Sequence, residues 1–172
     1  MNNRGYTLIE LSVVVVLVGT MLLIAVPRVW DTLLNDSLNA VTRRLINAAR
    51  ELRSESVREQ TDLILHIDLD RQSFWFYPAD TTAEKRSELR KAAFELPEGV
   101  RIAGIRQAGE ARRVDGEAFI RFFRQGYAAP AVIHLTKDDR VFTVVIHPFL
   151  QAATVYEKYV DFTFNEEESG AG

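Results

Sequence analysis

No cysteine occurs in the 172 residues, which excludes disulfides and thiolate-ligated metal sites. An exported domain without disulfides needs an adequate apolar core, and roughly 110 residues can supply one. Histidine is scarce as well. His66, His134 and His147 are the three present; none forms a tight ligand spacing, and His66 and His134 sit in strand patterns. No stretch is strongly basic with interleaved aromatics, so nucleic acid is not an expected partner. The net charge is −3, from 21 basic and 24 acidic residues, and reads as a statement about solubility. Asp68 with Asp70, and Asp138 with Asp139, lack EF-hand spacing and read as acidic turns. No P-loop, dinucleotide fingerprint or nucleophile elbow is found. These absences lead to an expectation of no catalytic residues, no metal and no cofactor. A membrane-anchored enzyme has no recognisable constellation to carry it.

What is present lies at the N-terminus. From 8 to 26 nearly every residue is apolar, with Glu10, Ser12 and Thr20 the polar exceptions. As a helix this run spans roughly 28 Å, close to the ~30 Å of a bilayer core. A secretory signal peptide would have a shorter apolar region and a small-residue cleavage site before Pro27. A buried core helix would not be so continuously Val/Leu. A membrane span fits. Arg4 and the free amine precede the run with no acid before Glu10, so the positive-inside rule leaves the N-terminus cytoplasmic and sends the rest outward. Glu10 is the anomaly, because an acid within a span is costly and usually partnered. Either it sits solvated at the headgroup boundary, or it pairs with a cation from another subunit.

The string Arg4-Gly5-Tyr6-Thr7-Leu8-Ile9-Glu10, followed by the aliphatic block, resembles the leader signal of type IV prepilins and type II secretion pseudopilins. The resemblance covers about the first 30 residues. It implies cleavage by a membrane aspartyl peptidase between Gly5 and Tyr6, and N-methylation of Tyr6. Gly5 has no side chain, which suits backbone entry into a narrow cleft. Phenylalanine is commoner than Tyr6 in that family. Glu10 becomes the acid the family keeps at the fifth mature position, implying a pairing with the Tyr6 amine of a neighbouring subunit that sets the stagger. Pro27 falls where many members have a helix-distorting proline. The implied partners are other pseudopilins or pilins through their N-terminal helices, the prepilin peptidase/methyltransferase and the inner membrane.

Pro27 should kink or locally break a helix, yet the helical pattern resumes. Apolar residues recur at Trp30, Leu33, Leu34, Leu38, Val41, Leu45, Ile46, Ala49 and Leu52, in steps of three and four. Arg43, Arg44, Arg50, Glu51 and Arg53 are expected on the opposite side. One long helix over about 8–59 is predicted. After Thr61 the period becomes two. Strands are expected at 63–69 and 74–77 around the turn Asp70-Arg71-Gln72-Ser73. A short helix is expected at 83–93, then strands at 100–105 and 118–123. A hairpin of 131–135 and 141–146 should turn at Lys137-Asp138-Asp139-Arg140, with a last strand within 154–164.

The predicted fold class is therefore α+β: a long N-terminal helix, transmembrane in its first half, packed on an antiparallel β-sheet domain of pilin-like type. The expected segments are a leader (1–5), a transmembrane half-helix (6–29), an amphipathic half-helix (30–60), a periplasmic β-rich domain (61–165) and a disordered acidic tail (166–172). The order of elements is similar to that of minor pseudopilins of the H type. So is the pattern Phe122-Phe123-Arg124-Gln125-Gly126, Val132-Ile133-His134-Leu135 and Val144-Val145-Ile146-His147-Pro148. Phe149-Leu150-Gln151 departs from that subfamily's usual threonine-glycine pair. The resemblance implies a non-enzymatic subunit of a periplasmic pseudopilus in a type II secretion system, held in a bacterial inner membrane. The alternative is a minor type IV pilin for pilus assembly, adhesion or DNA uptake. For the latter, the arginines of 106–113 are a weak candidate patch, against the plainer reading of a charged loop.

Overall fold

The structure, a computed structural model, describes residues 8–150 and 152–162, and the backbone alone over 22–36. The chain divides into two compact units, Met1–Ser37 and Leu38–Gly172. A single helix, α1 (Leu8–Arg58), contributes to both.

In the first unit the described side chains are those of 8–21 and Ser37, and the helix over 8–21 is apolar on every side. Leu8, Ile9, Leu11, Leu17 and Met21 are all more than half exposed. Ser12 and Thr20 donate their hydroxyls to the carbonyls of Leu8 (2.8 Å) and Val16 (2.7 Å), one turn back. That bond satisfies a hydroxyl without water or a neighbour. Among the described residues no helix is long and apolar enough to cross a membrane. The side chains of the sequence run 8–26 are described only as far as Met21.

In the second unit, Leu38, Val41, Leu45, Ala49 and Leu52 of α1 are buried at the predicted three- and four-residue steps. The helix stops where Gln60 takes a left-handed φ of 51°. The Thr61 amide there reaches back to the Ser56 carbonyl at 3.1 Å, as in a Schellman closure. Then follow β1 (Leu63–Asp68), β2 (Ser73–Pro78), α2 (Ala83–Arg90), β3 (Phe94–Glu95), β4 (Arg101–Gln107), β5 (Glu117–Phe122), β6 (Ala131–Lys137), β7 (Arg140–Ile146) and β8 (Thr154–Tyr156).

The strands of the expected antiparallel β domain form two four-stranded antiparallel sheets, ordered β3-β2-β1-β5 and β4-β6-β7-β8. Their inner faces and the α1 stripe share one core, with Leu65, Ile67, Ile120, Phe122, Ile133, Leu135 and Val144 almost wholly buried. Alternation in the strands predicts which face is buried but not where one sheet ends and another begins. Gln72 helps link the two. It turns the β1–β2 hairpin at φ 52°. Its side-chain amide accepts from the Ile102 N–H at 2.6 Å and donates to the Ile102 carbonyl at 3.4 Å. The neighbouring bulge in β4 falls at Ile102/Gly104. A Cβ on Gly104 would lie 3.0 Å from the Arg113 carbonyl, so a side chain there has little room.

Departures from expectation are local. β3, two residues long, carries no periodic signal. α2 ends at Arg90 rather than Ala93. Arg106 lies in β4 rather than in the loop after it. Arg53 is the clearest correction: it is buried, not on the charged side of α1.

Candidate functional site

Four predicted site residues belong to the N-terminal third. Gly5 and Tyr6 lie outside the described residues, as does the acidic stretch 166–172. Pro27 lies within α1, which continues on either side of it; its side chain is outside those described. Glu10 stands in the first turn of α1, the one charged residue of 8–21.

The domain's three histidines are held by contacts within the domain. His134 is 1% exposed. Its ring stacks on Tyr159 with centroids 4.4 Å apart, and Nδ1 lies 3.2 Å from Thr143 Oγ1. Burial, then the Arg112 charge, pushes its pKa down to about 4, against a smaller pull from Asp161. His66 stacks on Trp75 at 3.8 Å and meets Phe119 edge-on at 4.4 Å. Its Nε2 is 3.3 Å from a Glu117 carboxylate oxygen, within ion-pair reach but off the line of a hydrogen bond. Burial lowers its pKa despite the opposing Glu117 and Asp68 charges. His147 Nε2 lies 3.1 Å from Thr154 Oγ1.

The arginines of 106–113 are tied down. Arg106 pairs with Asp161 at 2.6 Å. Arg112 donates to the Ala103 carbonyl at 2.8 Å. Arg113 donates to the Glu117 carbonyl at 2.5 Å. The acidic pair Asp68 and Asp70 is also occupied. Asp68 accepts from the Arg71 amide at 2.9 Å and pairs with Arg90 at 2.5 Å. Asp70 accepts from the Gly116 amide at 3.1 Å. Among the described residues no cluster of three metal-ligating side chains occurs.

Two features escaped the sequence reading. Arg53 donates through Nη2 to the His147 carbonyl at 2.6 Å and through Nη1 to the Leu150 carbonyl. It thereby fixes the loop that presents Phe149, 83% exposed. The second is an open cleft on the outer face of the first sheet, lined by residues of β1, β2, α2 and β5. A buried arginine inside a charged run and a cleft assembled from four elements leave no local signal.

At its N-terminus the chain is prepilin-like: residues 1–26 match the family described as "Prokaryotic N-terminal methylation motif". In fold it is pilin-like. It is similar to the minor pseudopilin EpsH from the type 2 secretion system of Vibrio cholerae, with a TM-score of 0.54 and 14% identity, over 73% of this chain and 99% of that one. A crystal structure of EpsH from the same organism aligns at a TM-score of 0.49 and 14% identity, over 64% of this chain and 89% of that one. No curated protein sequence matches the chain.

Proposed function

We propose that this chain is a minor pseudopilin: a structural, non-catalytic subunit of the periplasmic pseudopilus of a type II protein secretion system. The observation that carries the reading is the helix over 8–21, apolar on every side, with Glu10 as its single charge, joined to a pilin-like domain. A helix apolar all round is stable only when surrounded by lipid or protein. Nothing in its own described unit covers these side chains, so the cover comes from a bilayer or from neighbouring subunits.

On this reading residues 1–5 are a leader removed after Gly5, and Tyr6 becomes the methylated N-terminus. Residues 6–29 cross the inner membrane, with a kink at Pro27. Residues 30–60 carry the helix onto the domain, and 61–165 form the periplasmic part. When subunits pack side by side, Glu10 meets the Tyr6 amine of a neighbour. Both charges are then neutralised in a low-dielectric setting, and losing either strands the other at high cost. The EpsH likeness in fold favours the secretion pseudopilus over a type IV pilus.

Intact mass of the membrane-extracted protein tests the processing. The expected species lacks Met1 to Gly5 and carries one added methyl group on Tyr6. A full-length, unmethylated species in a host with an active prepilin peptidase overturns it.

A further inference from the structure

The outer face of the first sheet is built in three cross-strand rows. Strand register places Asp68 between Ser73 and Glu117, His66 between Trp75 and Phe119, and Ile64 between Tyr77 and Arg121. The rows differ in what covers them. The acidic row is closed by α2: Arg90 pairs with Asp68 at 2.5 Å and lies 4.0 Å from Glu117. The middle row is filled by its own stacked rings. The third row is open. Over Ile64, Tyr77 and Phe119 lies a cleft of about 340 Å³, walled by Arg86 and Arg121.

One wall, Arg86, carries charge available to a ligand, whereas the other, Arg121, is paired with Asp62. Arg86 is exposed. Its Nε donates to the Thr81 carbonyl at 2.9 Å, and its guanidinium stands 5.6 Å from the Tyr77 ring centroid. Among the described residues no carboxylate lies within 4 Å of it. Arg121 shares Asp62 at 2.8 Å, with its side chain 48% exposed. Phe119 is 45% exposed. An apolar floor beside the Arg86 guanidinium suits an aliphatic or aromatic side chain next to a carboxylate. Arginine forks grip carboxylates in bidentate fashion, and arginine with aromatic rings is enriched at the centres of protein interfaces.

We propose that this cleft binds a short acidic–apolar peptide segment of a partner protein. The apolar side chain rests on Ile64, Tyr77 and Phe119, and the adjacent carboxylate pairs with Arg86, with Arg121 as the second wall. Single-stranded nucleic acid fits less well. A run of phosphates needs several cations in line, whereas this face continues into the acidic row of Asp68 and Glu117, and only one row is open. The proposal stands apart from the assembly role of the N-terminal helix.

The test uses the full chain in detergent micelles, immobilised and panned with a random dodecapeptide phage library. Enriched peptides are expected to carry Asp or Glu within two positions of Leu, Ile or Phe. One such peptide, synthesised with a fluorophore, is then titrated by anisotropy. Binding should weaken at least tenfold for Arg86→Gln, for Phe119→Ser and for the peptide with its acid replaced by the amide. Both side chains are substantially exposed, so unchanged melting temperatures separate lost binding from lost fold. Failure to enrich any acidic–apolar motif, or equal affinity for Arg86→Gln and the parent chain, overturns the proposal. So does a fluorescent oligo-dT that binds at the same site and is released by Arg86→Gln.

Discussion

Arg53 follows the buried Leu52 directly, at a position where the run of charges around it predicts solvent. It turns inward because the loop after β7 brings the carbonyls of His147 and Leu150 to the helix, and a planar guanidinium can serve both. Burial alone lowers its pKa, as expected of a charge held by carbonyls rather than by a carboxylate. Arg53→Met keeps the apolar stem and removes both donors. It is expected to cost roughly 3–6 kcal/mol, since two hydrogen bonds to a charged group are lost, each worth about 1.5–3 kcal/mol. Urea unfolding followed by tryptophan fluorescence measures it, and a loss under about 0.5 kcal/mol would show that the loop holds itself. Glu10 belongs to the same scale. Glu10→Gln leaves the helix intact and removes its charge. Under the proposed pairing, membrane insertion is unchanged while cross-linking between neighbouring N-terminal helices is lost. Undiminished cross-linking would place Glu10 at the headgroup boundary instead.

At the scale of elements, much was readable and the reasons are specific. The hairpin of β6 and β7 follows from two β-branched runs around Lys137-Asp138-Asp139-Arg140, where Asp138 takes the left-handed φ of 51° that short hairpins favour. The α1 stripe follows from the spacing of Leu38, Val41, Leu45, Ala49 and Leu52. The last strand falls within 154–164 as expected, at its start, and the segment after it is irregular. That segment is a strap across the second sheet. Thr143 Oγ1 donates to the Lys158 carbonyl at 2.7 Å and accepts from the Val160 amide at 3.1 Å. Tyr159 covers His134, and Asp161 reaches Arg106. Thr143 is fully buried, so Thr143→Val strips one oxygen from two backbone partners. The expected loss is about 1–3 kcal/mol, with faster tryptic cleavage at Lys158 than in the parent chain. Unchanged cleavage would mean the strap is held elsewhere. Gln72→Leu should likewise cost about 1–3 kcal/mol by leaving the Ile102 amide and carbonyl without the side chain that joins the two sheets.

For the molecule as a whole, the buried histidines set a pH dependence. His134 has a folded pKa of about 4, below the ~6.5 of an unfolded histidine, and His66 is lowered as well. A proton therefore binds the unfolded chain first. Stability rises with pH through the window between about 4 and 6.5, and is lost on acidification through it. At about 1.4 kcal/mol per unit, His134 alone is expected to cost roughly 2 kcal/mol on going from pH 7 to pH 5. Denaturant midpoints at the two pH values measure this. His134→Gln should flatten the dependence even if it lowers stability throughout, and a midpoint that does not move in the parent chain would contradict the burial argument. The exposed apolar helix of 8–21 belongs to this scale too, since no part of its own described unit covers it and its stability rests on its surroundings.

The sequence alone determined what depends on neighbours along the chain. The apolar run with its lone acid, the helical stripe and the alternating strands each follow from residues within a few positions of one another, because side-chain period is a local property of the backbone. Tertiary structure decided what depends on residues far apart in sequence. The strands divide into two sheets, Arg53 points inward to carbonyls more than ninety positions away, and Ile64, Tyr77, Arg86 and Phe119 converge around one cleft. Each of these is settled by which distant groups need a hydrogen bond or a cover once the core has closed, and no window of sequence contains both partners.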